Sequence, residues 1–214
     1  MKVIITGVTG MVGEGVLLEC LDNDEVTDVL VVGRKHYEKS HPKLKELIIK
    51  DFAHIAQYMD EVKAYDACFF CAGVSSVGEN EDSFTNKTYD FVVPFAKVLA
   101  ESNQNMTFIY VSGKGTDSTE KGKVMWARVK GRTENALMKL PFKQEYNFRP
   151  AIMKATKGQV NVKLIYKILG PILAPFYPAK TLTLSQVGRA MIHAVSKGYP
   201  NQNLEPEDIY KLSM

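Results

Sequence analysis

Three glycines, Gly7, Gly10 and Gly13, stand at three-residue spacing directly behind a β-branched apolar run, in a stretch that reads KVIITGVTGMVG from Lys2 to Gly13. The chemistry such a place can do is anion binding. A pyrophosphate must approach bare backbone N–H groups, the turn needs a relaxed φ, and the following helix must pack closely on its strand. Glycines mark ordinary turns as well, so the context of strand, turn and helix start carries the assignment. Some twenty residues on, where folds selective for NAD place a carboxylate, the second apolar run ends in VVGRKH. Arg34 can fork a 2′-phosphate and stack on adenine, and Lys35 adds a second charge, so this strand end predicts NADP rather than NAD. The competing reading is a solvated Arg-Lys pair after a strand.

Other reactive side chains exclude more than they suggest. Cys20, Cys68 and Cys71 are too few and too odd in number for a disulfide framework. Cys68 and Cys71 form a C-x-x-C, but within the strand-like run YDACFFCAG residues three apart face opposite sides and cannot share a metal. His36, His41, His54 and His193 have no ligand spacing, so no metal site is expected. The net charge of +3 is unevenly spread: residues 107–167 hold 13 Lys and Arg against 4 Asp and Glu. That block could attract phosphates or could be a solvated helical face. Aromatic residues do not interleave with it as a nucleic-acid platform requires.

The elements that must position these residues alternate. Strands are expected near 2–6, 27–33, 45–50, 66–71, 106–112 and 145–149, and helices near 11–22, 53–62, 84–102, 123–140 and 185–197, the last with a capping box from Thr183 and Gln186. This order predicts an α/β fold, a doubly wound parallel sheet, in a single domain over 1–214. Residues 151–182 read as a substrate-side or interface insertion. Within them, Leu164, Ile165, Ile168, Leu169 and Ile172 recur at helical spacing before prolines at 171, 175 and 178, which suggests a lid over the cofactor or a face packed into the core or a homodimer. No stretch is long enough to span a bilayer, and no signal-like segment precedes the first strand, so the cytoplasm is the expected compartment.

With these motifs in place, the chain resembles the atypical short-chain dehydrogenase/reductases, the small NAD(P)H-binding, epimerase-like Rossmann branch. TGVTGMVG is similar to that branch's TGxTGxxG loop, which implies cofactor contacts from Gly7, Thr9, Gly10, Met11, Val12 and Gly13. VVGR matches its NADP-selecting strand end, Asp51 and Phe52 its adenine-contacting pair, and Cys71, Ala72 and Gly73 its loop along the dinucleotide. YVSGKG resembles the strand bearing the active-site serine, here Ser112, and FRPA the Arg-Pro turn with Arg149. The family pairs that serine with a tyrosine four residues ahead of a lysine; Lys130 matches, but the tyrosine position is Trp126. An indole N–H donates a hydrogen bond yet cannot act as an ionising acid near neutral pH.

The resemblance therefore implies Ser112 and Lys130 as catalytic residues, with Lys130 also holding the nicotinamide ribose, and leaves the proton source open. Tyr110, two residues before Ser112 and on the same face of its strand, and Tyr89, on the preceding helix, are the candidates for the vacant role. Two functions follow: an NADP(H)-dependent oxidoreductase acting on a small carbonyl substrate, or a cofactor-binding sensor or scaffold that performs no chemistry. Sugar-nucleotide epimerisation is a third, with little chain available for a separate substrate domain.

Overall fold

In the computed structural model, which describes residues 1–162 and 181–214, strands and helices alternate from Lys2 onward. The strands are β1 (Lys2–Thr6), β2 (Asp28–Gly33), β3 (Leu44–Ile48), β4 (Ala67–Phe70), β5 (Thr107–Val111), β6 (Gln144–Phe148), β7 (Ile152–Lys154), β8 (Thr181–Thr183) and β9 (Asn203–Leu204). Seven form one sheet in the order β3-β2-β1-β4-β5-β6-β9, every pair parallel. The chain runs outward from β1 to β3, then returns to lay β4 on the other side of β1. That reversal opens a crevice beyond the carboxyl ends of β1 and β4, where doubly wound sheets bind their ligands.

Alternation along each strand builds two cores. Val3, Ile5, Val29, Val31 and Phe69 face one layer, which is closed by α1 (Met11–Asp22) lying against α6 (Leu184–Lys197), with α7 (Pro206–Leu212) packed on α6. Ile4, Leu30, Val32, Cys68 and Phe70 face the other. That layer is covered by a 3-10 helix (Phe52–Tyr58), α2 (Met59–Val62), α4 (Tyr89–Ser102) and α5 (Met125–Leu137). Cys68 thus lies in one core and Cys71 beside the other, on opposite sides as strand geometry requires, and all three thiols are free.

Several expected boundaries shift for local reasons. The helix expected over 53–62 begins as a 3-10 turn, with the Asp51 carboxylate accepting from Ala53 N at 3.0 Å, before four residues of α-helix. The single helix expected over 84–102 is two: α3 (Glu81–Asn86) starts early because Asn80 caps it, accepting from Ser83 N at 2.8 Å, and the chain breaks before Tyr89. The capping box of α6 forms as read, with Thr183 and Gln186 bonded reciprocally. The short strands β7 and β8 pair parallel as a separate two-stranded sheet, and with β9 and α7 were not anticipated. The apolar stripe of residues 164–172, its prolines and most of the expected insertion lie outside the described residues.

Candidate active site

Thr6 ends β1, and Gly7 turns the chain with φ +73°, a left-handed conformation that favours glycine. A side chain there would stand 2.6 Å from Ala72 N, and one at Gly13 would stand 2.3 Å from the Gly7 carbonyl oxygen. Two of the three glycines thus press the first turn of α1 onto β1 and the loop after β4. Gly10 is different: its missing Cβ meets only the Gly7 oxygen, at 3.3 Å. Gly10 N donates back to Gly7 O at 2.9 Å, and the first-turn amides of α1 have no acceptor within their own helix, which makes them available to an anion.

A cavity of about 930 Å³ begins at this turn. Thr9, Gly10, Met11 and Val12 form one wall, Cys71, Ala72 and Gly73 run beside them, and Tyr110, Ser112 and Lys130 close the far end. Much of the remaining wall is apolar, from Val74, Val92, Ile152, Met153 and Val160. Nine of the expected site residues therefore share one space. The Thr6 hydroxyl fixes the edge of that space by accepting from Ala72 N at 3.1 Å.

Other expected residues sit elsewhere. Arg34 and Lys35 are exposed at the end of β2, with no ion pair among the described residues. Asp51 is exposed and capping. Phe52 is turned into the core, 4% exposed, its ring stacked on Phe91 with centroids 4.9 Å apart. An aromatic ring between two apolar layers gains more from that burial than from an open strand end, so its ring does not face the crevice.

At the far end, Lys130 Nζ donates to the Ser112 carbonyl at 2.5 Å. Burial pulls the Lys130 ammonium down to about 8, opposed by the nearby Glu134 carboxylate. The Ser112 hydroxyl is 2.5 Å from Glu134 Oε1 and 3.2 Å from the Phe148 carbonyl. Glu134 is wholly buried, and Arg149 answers it with two bonds, one from Nε at 3.0 Å and one from Nη2. Arg149 also reaches Ser118 Oγ at 2.5 Å and Glu205 at 3.3 Å. The arginine thus has a structural task at the turn after β6, in keeping with its Pro150 neighbour. Trp126, one helical turn before Lys130, lies beside Gly115 and is not among the described residues of the cavity wall. Tyr110 does line the cavity, but burial and the Glu134 charge push its phenol far up. Burial likewise pushes the Cys71 thiol up to about 12, which disfavours its thiolate.

The residue that the sequence reading missed is Glu14, fully buried on the first turn of α1. Its signal was there: a carboxylate inside MVGEGVLL, where a helix packed on a sheet otherwise presents apolar or small residues. Among the described residues no cluster of His, Cys, Asp or Glu could hold a metal, and no helix is long and apolar enough to cross a membrane.

The family model described as "NAD dependent epimerase/dehydratase family" matches residues 3–121, more than half the chain, including the glycine turn, the loop after β4 and Ser112. The chain belongs to that family. Its relatives include Protein HTATIP2 of Rattus norvegicus, 25% identical over 155 residues, and this chain spans 71% of its own length and 62% of the rat protein's in that match. A protein named "Protein FMP52, mitochondrial" from Debaryomyces hansenii is 24% identical over 204 residues, covering 92% of this chain and 88% of the relative. Among solved structures, the Bordetella bronchiseptica enzyme WbmH in complex with NAD+ superposes with a TM-score of 0.68 at 17% identity, over 94% of this chain and 73% of that one. A short-chain dehydrogenase from Burkholderia cenocepacia in complex with NADP gives 0.65 at 11% identity, over 95% and 86%. These two structural likenesses establish a shared Rossmann fold.

Proposed function

We propose that this protein binds NADP(H) along the ends of β1, β2 and β4 and reduces a small carbonyl compound in the space before Ser112 and Lys130. The observation that carries the reading is the continuity of the cavity: one space runs from the glycine turn to Lys130, at the upper end of the roughly 300–1,000 Å³ usual for small-molecule sites. A dinucleotide laid along it would have its diphosphate at the first-turn amides of α1 and its nicotinamide ribose at Lys130. Its 2′-phosphate would meet Arg34 and Lys35. The cofactor supplies the hydride; Lys130 holds the ribose hydroxyls, and the apolar wall of Val74, Val92, Ile152 and Met153 excludes water from the reacting carbon.

Calorimetric titration tests this directly. NADPH is expected to bind more tightly than NADH, and Arg34→Ala to weaken NADPH binding by about 1.5–3 kcal/mol, tenfold or more. Equal affinities for the two cofactors would overturn the NADP assignment, and binding of neither would overturn the dinucleotide reading.

A second reading, a cofactor-binding sensor without turnover, is favoured by the state of Ser112. Its hydroxyl is already engaged with a buried carboxylate, and residue 126 offers no ionisable proton. NADPH consumption with 4-nitrobenzaldehyde separates the two readings. We place either activity in the cytoplasm, where free thiols persist; cell fractionation tests that, with mitochondria as the alternative raised by the name of the FMP52 relative.

A further inference from the structure

Glu14 has no part in the functions above, yet three segments meet on it. Its carboxylate accepts from Val160 N at 3.1 and 3.0 Å and from Asn161 N at 2.7 Å. It also accepts from the Tyr37 hydroxyl at 3.3 Å. Burial, with the adjacent Glu14 charge, pushes the Tyr37 phenol up to about 12, so it remains a donor throughout the physiological range. The segment over residues 156–162 is fastened at further points: Gln159 Nε2 donates to the Met11 carbonyl at 2.7 Å, and Lys39 Nζ to the Gly158 carbonyl at 2.7 Å. Two of those partners, Tyr37 and Lys39, come from the loop that begins at Arg34 and Lys35. Val160, Asn161 and Val162 belong to the cavity wall.

A buried carboxylate needs several donors to offset its desolvation, and here the donors come from two separate segments, the loop after β2 and residues 160–161 of the cavity wall. None of these contacts is local in sequence: Glu14 lies 23 residues from Tyr37 and 146 from Val160. Freeing the carboxylate from either side would leave it short of partners, so the two sides hold or release together.

We propose that Glu14 is a positioning residue that ties the loop after β2, which begins at Arg34 and Lys35, to the wall segment 156–162, so that a ligand bound at Arg34 and Lys35 also orders that part of the cavity wall. The coupling to ligand rests on the dinucleotide reading; the tie itself does not. It gives the fold a way to order this stretch of the cavity wall only when the loop after β2 is engaged by ligand.

Hydrogen exchange on the full chain, read by mass spectrometry, tests it in two arms. Without ligand, Glu14→Gln is expected to speed exchange about tenfold or more at 160–161 and also across 35–39, because an amide cannot accept from every donor that the carboxylate serves. Faster exchange at 160–161 alone would overturn the tie. In the second arm, 2′,5′-ADP, which has no nicotinamide half, is expected to slow exchange in both segments of the wild type but only around Arg34 in Glu14→Gln. Protection confined to the Arg34 loop in the wild type would overturn the coupling. If the fragment protects neither segment, the dinucleotide reading fails at that end and the first arm alone judges Glu14. Should Glu14→Gln not fold, Lys39→Met cuts an exposed link of the same set, and a wild-type pattern in that variant would count against the proposal.

Discussion

The two ends of the crevice are built from different materials. At the glycine turn the work is done by backbone: a positive φ, first-turn amides, and two positions where any side chain would collide with main-chain atoms. At the Ser112 end it is done by side chains, through a chain in which Ser112, Glu134 and Arg149 are buried and Ser118 and Glu205 reach the surface. The first kind of site tolerates almost no change and advertises itself. The second can vary in the groups that face the cavity and still keep its shape, because the Arg149–Glu134 ion pair that braces it lies behind the wall.

The largest expected effect tests the backbone end. Gly13→Ala sets a methyl group 2.3 Å from the Gly7 oxygen, atoms that cannot yield, and is expected to cost more than about 4 kcal/mol and to abolish cofactor binding. Gly10→Ala, with its contact at 3.3 Å, should lower the melting temperature far less. Thermal melts of both variants decide whether the steric distinction is real.

Next in size is the ion pair. Arg149→Met strands a fully buried Glu134 carboxylate and should destabilise by about 3–5 kcal/mol, whereas Arg149→Met combined with Glu134→Leu should recover much of that loss. Denaturant titrations of the single and double variants measure it. Equal losses would mean that the pair is not what stiffens this end.

Wild-type turnover of simple aldehydes is expected to be slow, and Trp126→Tyr to raise it about a hundredfold, the lower bound of a general acid's usual contribution. Residue 126 is one turn from Lys130 on the same helical face, so a phenol there can reach the same cavity. Stopped-flow oxidation of NADPH checks this, with cofactor affinity expected to be unchanged.

The smallest effect concerns Glu145, on β6 near Glu134. Burial and that second carboxylate push its acid up to about 9, and its Oε1, like Asn147 Oδ1, has no hydrogen-bond partner among the described residues. Between its ordinary 4.5 and about 9 the folded protein holds a proton that the unfolded chain releases, so its contribution to stability is full at low pH and is lost as pH rises through that window. Glu145→Gln should therefore gain on the order of 1 kcal/mol, about 2–4 °C in melting temperature, at pH 8 and little at pH 5. Calorimetric scans at both values provide the check.

What the sequence made legible follows the same divide. Strand periodicity, the glycine turn and the Thr183 capping box are local patterns, and all three stand as read. The split of the helix over 84–102 was signalled by Asn80, whose capping role is visible only once the chain is known to turn there. Ser112 and Lys130 could be located by motif, but the partners that determine what they do lie 22 and 18 residues away, or farther in the case of Arg149, and no periodicity encodes them. Phe52 was read for the crevice because its position in the chain is right; the depth of the second core, which includes Phe70, Phe91 and Phe95, drew it inward.

The margins of the large sheet bear on how copies of this protein meet. A parallel sheet left open at both sides invites another molecule's strand onto its unpaired amides and carbonyls. Here one margin is β3, whose Lys45 and Glu46 are charged and whose middle is exposed, and the other is β9, two residues long and closed off by Pro206. The charges on the five-residue β3 and the brevity of β9 both work against registration of foreign backbone. Self-association by strand addition, and the aggregation it seeds, is therefore disfavoured at both margins of the large sheet.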